Sequence, residues 1–270
     1  MMSATIYRHE VFSRLKSVLT WSLSLMVLVF FFLSIFPTFA EQAAQLNEMM
    51  ANFPPALLEA FGMAKADLAS VLGYFSFLFL FVQLCLAIQA ANYGFGLVSI
   101  EENELTADFL LSKPVSRFQI LTSKLLAALS CILLTELVVT ASTFVAITLF
   151  RDSRSYDTGT LSLLLVSMLI LQLFFLCVGM VISLLVKRVR SVTPYSLALG
   201  FGAYILAAFS GIFGDVKLEY ITPFKQLDPS YIVLHNAYDT PLLLINVAVT
   251  IIALLASYLL YIRRDIPTAS

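Results

Sequence analysis

The most chemically loaded residue of this chain is a glutamate inside an apolar run. Glu136 lies near the centre of residues 119–150, among Leu, Val, Ile and Thr. A charged group at a bilayer midplane costs about 2.5–3.5 kcal/mol on insertion scales, so it faces protein or water rather than lipid. No Lys or Arg occurs at similar depth in any apolar run of the chain. Amides or hydroxyls such as Gln83, Gln172, Asn246 or Thr135 are therefore its expected partners. The other reactive residue types are scattered. The two histidines, His9 and His235, have no second ligand at i+3 or i+4, and no metal site is expected. Cys85, Cys131 and Cys177 all sit in apolar runs without metal-ligand spacing and read as small core residues. No catalytic residue is assigned. No P-loop, dinucleotide fingerprint, nucleophile elbow or zinc motif occurs, so the chain itself is expected neither to hydrolyse ATP nor to bind a cofactor.

The elements that carry these residues are set by composition. The chain has 270 residues, 60% of them hydrophobic and only 12% charged, against roughly 25% charged in an ordinary globular protein. A water-soluble fold of this size cannot hide that much apolar surface. A net charge of −1, with no basic run interleaved with aromatics, gives no sign of nucleic-acid binding. Crossing a hydrocarbon core about 30 Å thick takes roughly 20 apolar helical residues. Six stretches qualify: about 18–40, 70–97, 119–150, 160–186, 194–213 and 241–262. Backbone groups in lipid must be satisfied internally, and the alternation of a membrane β-barrel is absent, so the expected fold is an all-α integral membrane protein with six transmembrane helices. The first stretch exceeds the usual 7–15 apolar residues of a secretory signal, so it reads as a span.

Lys and Arg set the expected orientation. With the N-terminus inside, eleven fall on the cytoplasmic side: Arg8, Arg14, Lys16, Lys113, Arg117, Lys124, Lys187, Arg188, Arg190, Arg263 and Arg264. Five fall outside: Lys65, Arg151, Arg154, Lys217 and Lys225. Both termini are then cytoplasmic, with Trp21 and Tyr261 at the inner interface and Tyr74 at the outer one.

Three pieces outside the spans carry structure of their own. Residues 4–17 put Tyr7, Val11, Leu15 and the following Val18 on one face and Arg8, Arg14 and Lys16 on others, as in a helix lying in the inner interface. In 99–117, Ser99 with Glu102 forms a capping-box pattern, and Glu101, Glu102 and Glu104 crowd a first turn. Pro114 stops that short helix, and Ser116 with Gln119 opens the third span. Residues 212–240, with Pro223, Pro229 and apolar patches at 220–224 and 231–234, read as a re-entrant or interfacial outer segment.

The stretch from Ser99 to Lys124, SIEENELTADFLLSKPVSRFQILTSK, resembles a pattern of ABC-2 type ABC transporter permeases. In that family a Glu-rich start, a Thr, a Leu-Leu-x-x-Pro-Val-Ser-Arg core and a downstream Lys join spans two and three. The outer stretch ITPFKQLDPSYI at 221–232 is similar to the family's loop before its last span. The resemblance implies one transmembrane permease domain over 1–270 in the inner (cytoplasmic) membrane. It implies a separate ATP-binding subunit, which carries ATP and Mg, and a second permease, either identical or related. Segment 99–117 would be the coupling helix that meets the ATPase, with Glu101, Glu102, Glu104, Thr106, Asp108, Pro114 and Arg117 in or beside it. The working unit would export its cargo on ATP hydrolysis.

Spans two and five flank the central path in the resembled family. Span five carries a small-residue stripe, Ser196, Gly200, Ala203, Ala207, Ser210 or Gly211, and Gly214, that suits either that path or close packing within one chain. Gln83, Gln89 and Asn92 in span two either face the path or bond neighbouring helices. Glu136 is either a cargo or proton contact or an interhelical hydrogen bond. Phe-rich walls with scattered amides suit an amphipathic or hydrophobic cargo such as a peptide, antibiotic or lipid-like molecule. A secondary transporter and a non-transporting scaffold for an ATPase are the alternatives. The first would show inverted repeats, and none is evident between residues 1–150 and 151–270.

Overall fold

The computed structural model describes residues 3–42, 45, 49, 52–54, 58, 67–103, 115–186, 189–210 and 218–263, with backbone only for 100–103. Among the described residues helices joined by turns and short connections are the regular structure, and six of the helices are long and apolar enough to cross a membrane. They are α1 (Ala4–Glu41), α2 (Val71–Asn103), α3 (Arg117–Phe150), α4 (Thr158–Leu185), α5 (Val192–Phe209) and, after two short helices, α8 (Thr240–Arg263). The short ones are α6 (Pro223–Gln226) and α7 (Pro229–His235), preceded by a single 3₁₀ turn at Leu218–Tyr220.

Two expected boundaries are corrected. Residues 4–17 are not a separate helix but run unbroken into the first span as α1. Nothing between Ala4 and Phe36 breaks a helix, and Pro37 is accommodated inside it. At 38 residues α1 is about 57 Å long, nearly twice the hydrocarbon thickness, so about half of it must lie beyond that core. The second correction is at Ser99, which starts no helix. Its hydroxyl donates to the Phe95 carbonyl 2.6 Å away, and α2 continues through Glu101 and Glu102 to Asn103. The apolar run before Ser99 carries no stop signal, so the helix propagates. The Ser116 box is present: Gln119 N donates to Ser116 Oγ at 3.2 Å and Ser116 N to Gln119 Oε1 at 3.1 Å.

The core forms around α2, whose residues from Val71 to Ser99 are almost all buried. It packs on α4 and α5, while α1 lies along α3 through Val18, Ser22, Leu25, Val29, Leu33 and Phe36, the three-and-four spacing of one helix face. Helices α2 and α4 approach to backbone contact. A Cβ on Gly94 would stand 2.3 Å from the Leu176 carbonyl oxygen, and one on Gly179 would stand 3.1 Å from the Ala91 oxygen. Small residues permit such crossings where lipid supplies no hydrophobic drive. Tyr74 and Tyr261, expected in aromatic belts, lie near the ends of α2 and α8 with their side chains buried against protein.

At one end of the bundle Asp157 caps α4. The Thr160 hydroxyl and backbone N–H donate to its carboxylate at 2.6 and 2.7 Å and hold it below the ordinary carboxylate range.

Candidate functional site

The start of α1, the start of α3 and the end of α8 meet at one end of the bundle. Ser3 N donates to Ser123 Oγ at 2.9 Å. Arg117 Nη1 donates to the Ile262 carbonyl at 3.1 Å and reaches the Tyr261 carbonyl at 3.5 Å. A guanidinium suits the last carbonyls of a helix, where the dipole is negative. Arg117, expected beside the coupling segment, is thus seated on the end of α8. Glu104, Thr106, Asp108 and Pro114 lie outside the described residues, as do the side chains of Glu101 and Glu102.

Beside Arg117 lies a buried charge cluster that the sequence reading did not identify. Glu10 accepts from Arg14 one turn on, and Lys124 Nζ of α3 stands 3.4 Å from Glu10 Oε1. Lys124 also donates to the Leu97 carbonyl of α2 at 2.6 Å. All three side chains are buried, Lys124 to 2% exposure. The cluster therefore ties α1 and α3 to the last described turns of α2. Its signals were a Glu–Arg pair at i,i+4 and a lysine inside an apolar run.

In the middle of the bundle Gln89 is a hub. Its Nε2 donates to Thr135 Oγ1 at 2.9 Å and to Tyr93 Oη at 3.3 Å, and its Oε1 accepts from Gln172 Nε2 at 3.3 Å. Tyr93 in turn donates to Ser17 Oγ at 3.3 Å, so one polar chain links α1, α2, α3 and α4. Glu136 is not part of it. Both its carboxylate oxygens are buried without a hydrogen-bond partner among the described residues, so the expected amide partners are not found there. Asn92 is half-buried.

The stripe on α5 meets α2 in the same chain. Ser196, Gly200 and Ala207 are buried, Ala203 is half-buried, and a Cβ on Gly200 would stand 2.6 Å from Ile88 Cγ1. Toward the other end, Gln83 Nε2 donates to the Leu227 carbonyl at 3.2 Å, and Asn246 Nδ2 to Gln226 Oε1 at 2.9 Å. Gln83 is twelve residues, about 18 Å, into α2, so the turn between α6 and α7 reaches well down the bundle. A cavity of about 280 Å³ opens there, lined by Glu219, Lys225, Gln226, Asp228, His235 and Asp239 among others.

No curated relative matches the chain. A family model described as ABC-2 family transporter protein matches residues 4–266. This span takes in all six long helices, and the chain belongs to that family, whose members are the membrane permease component of ABC transporters.

Proposed function

We propose that this permease exports an amphipathic or hydrophobic substrate, with ATP and Mg held by a separate ATP-binding subunit and a second permease completing the path. The family match over 4–266, in a chain with no ATP-binding motif, carries this reading. Segment 99–117 is the proposed ATPase contact, with Glu101, Glu102, Glu104, Thr106, Asp108 and Pro114 in it and Arg117 bracing its far edge. The buried cluster of Glu10, Arg14 and Lys124 supports this placement, since it fixes α1 and α3 beside the point where α2 enters the segment. The path is proposed along α2 and α5, beside Gln83, Gln89, Asn92, Gly200, Ala203 and Ala207, with 212–240 as a re-entrant outer segment. The permease itself is proposed to be no enzyme.

The test is charge reversal at the motor contact. With Glu101→Lys and Glu102→Lys together, the permease is expected to insert at normal abundance while ATPase association weakens by at least about tenfold. Co-purification and substrate-stimulated ATP hydrolysis report it. Normal assembly together with normal export in the double variant overturns the coupling role.

Orientation is tested separately. Single cysteines at Ser3 and Ser270, in a background without Cys85, Cys131 and Cys177, are expected to resist a membrane-impermeant thiol reagent in intact cells. Labelling of either residue from outside reverses the topology, which rests on eleven Lys and Arg inside against five outside.

A further inference from the structure

No donor among the described residues reaches either carboxylate oxygen of Glu136. The amides expected to serve it each direct an N–H elsewhere. Gln89 Nε2 donates to Thr135 and Tyr93, Gln172 Nε2 to Gln89, Gln83 Nε2 to the Leu227 carbonyl, and Asn246 Nδ2 to Gln226. The Thr135 hydroxyl, next to Glu136 in the chain, donates to the Cys131 carbonyl at 3.2 Å. Gln83 Oε1, Gln172 Oε1 and Asn246 Oδ1 are likewise buried without partners among the described residues, as are the hydroxyls of Ser22 and Thr143, and none of these groups pairs with Glu136. Lys124 stands twelve residues, about 18 Å, down the same helix and is engaged by Glu10 and Leu97. The side-chain group that satisfies acceptors and offers none is an ammonium or guanidinium.

The surroundings of Glu136 say what carries such a group. The residue itself is 9% exposed, yet it is flanked on α3 by Leu133 and Leu137, which are 52% and 66% exposed on the apolar outer face. The carboxylate therefore sits one step inside this exposed apolar ridge. A ligand with a hydrocarbon tail can lie along Leu133 and Leu137 while its cationic head turns inward. In a low-dielectric interior that pairing is strong, whereas an unpaired carboxylate is costly.

We propose that Glu136 is the mid-membrane contact for the cationic head of an amphiphile of the alkylammonium class. That this amphiphile is cargo rests on the exporter reading; that it binds does not.

The probes are dodecylammonium and uncharged 1-dodecanol, added to the full-length chain in neutral detergent. Thermal unfolding and protection of Glu136 from a hydrophobic carbodiimide, mapped by mass spectrometry, are read out together. Dodecylammonium is expected to raise the unfolding temperature and protect Glu136, and dodecanol to do neither. Glu136→Gln keeps the shape and removes the charge, and is expected to weaken dodecylammonium binding by at least about tenfold, with Glu136→Asp recovering part of it. Equal effects of the two probes on the native chain overturn the proposal, and so does undiminished dodecylammonium binding by Glu136→Gln. The comparison of probes needs no variant, so it decides the matter even where Glu136→Gln does not fold. Neither measurement involves an ATPase, so failure of the exporter reading leaves the result standing.

Discussion

Gly94→Ala is expected to remove most of the folded permease from the membrane, although it adds only one methyl group. That methyl would stand 2.3 Å from the Leu176 carbonyl oxygen and 3.0 Å from Met180 N. Both obstacles are backbone atoms of α4, so no side-chain rotation relieves the clash. Overpacking a well-filled interior costs about 1–3 kcal/mol when side chains can yield, and this site lies at or above the top of that range. The crossing has little freedom to open, because Gly179 of α4 meets the Ala91 carbonyl of α2 at the same contact. Moving α4 outward would also strain the bond from Gln172 to Gln89. Gly202→Ala is the control, since a Cβ there meets nothing within 4 Å. Monodisperse yield from the membrane and unfolding temperature in detergent should fall sharply for Gly94→Ala and stay unchanged for Gly202→Ala. Equal behaviour of the two variants would show that α2 and α4 are further apart than the structure places them.

This crossing also marks the limit of what sequence could reveal. Six spans were legible because twenty apolar residues in a row have one physical outcome in lipid, and their ends fell within four residues of the helices found except at the start of α1 and the end of α2. The Ser116–Gln119 box was legible because its chemistry is local. Ser99 was misread by the same rule. A serine followed by acids three and five residues on satisfies the pattern, but nothing upstream ended the helix already running through it. The partner of a small residue is not local information. Gly200 stood out as part of a stripe, yet nothing in its spacing said that Ile88 of the same chain would face it. Ala87, Ala90, Ala91 and Gly94 form an equally small face on α2 that was hidden among the larger Phe and Leu residues. Glu136 was recognisable as exceptional from its type and depth alone. Its lack of partners was not, because that depends on where four amides on three other helices send their donors.

Lys124→Met is expected to be nearly as damaging as Gly94→Ala, for an electrostatic reason. The Nζ is buried with its side chain 2% exposed, donates to the Leu97 carbonyl at 2.6 Å and lies 3.4 Å from Glu10 Oε1. Methionine matches the length of the aliphatic stem but carries no charge and no donor. Glu10 then keeps Arg14 alone, and the Leu97 carbonyl loses a charged donor in the last described turns of α2. Breaking a buried ion pair from one side costs about 3–5 kcal/mol where it strands a charge, and the Arg14 partner that Glu10 retains puts Lys124→Met at the low end of that range. Glu10→Gln errs in the other direction, leaving Arg14 and Lys124 buried beside a neutral amide. The double variant Glu10→Gln with Lys124→Met removes one charge of each sign, and its loss should be smaller than the sum of the two single losses. Strict additivity in unfolding temperature would mean that the two residues do not act as a pair. If the cluster also braces the coupling segment, a second difference follows. The double variant should regain abundance before it regains substrate-stimulated ATP hydrolysis. Its neutral pair returns the cluster to its native net charge, with Arg14 left without its carboxylate, and does not replace the Lys124 bond to Leu97, which fixes α3 to the end of α2 where the segment begins. Full recovery of both properties would make the cluster a matter of stability only.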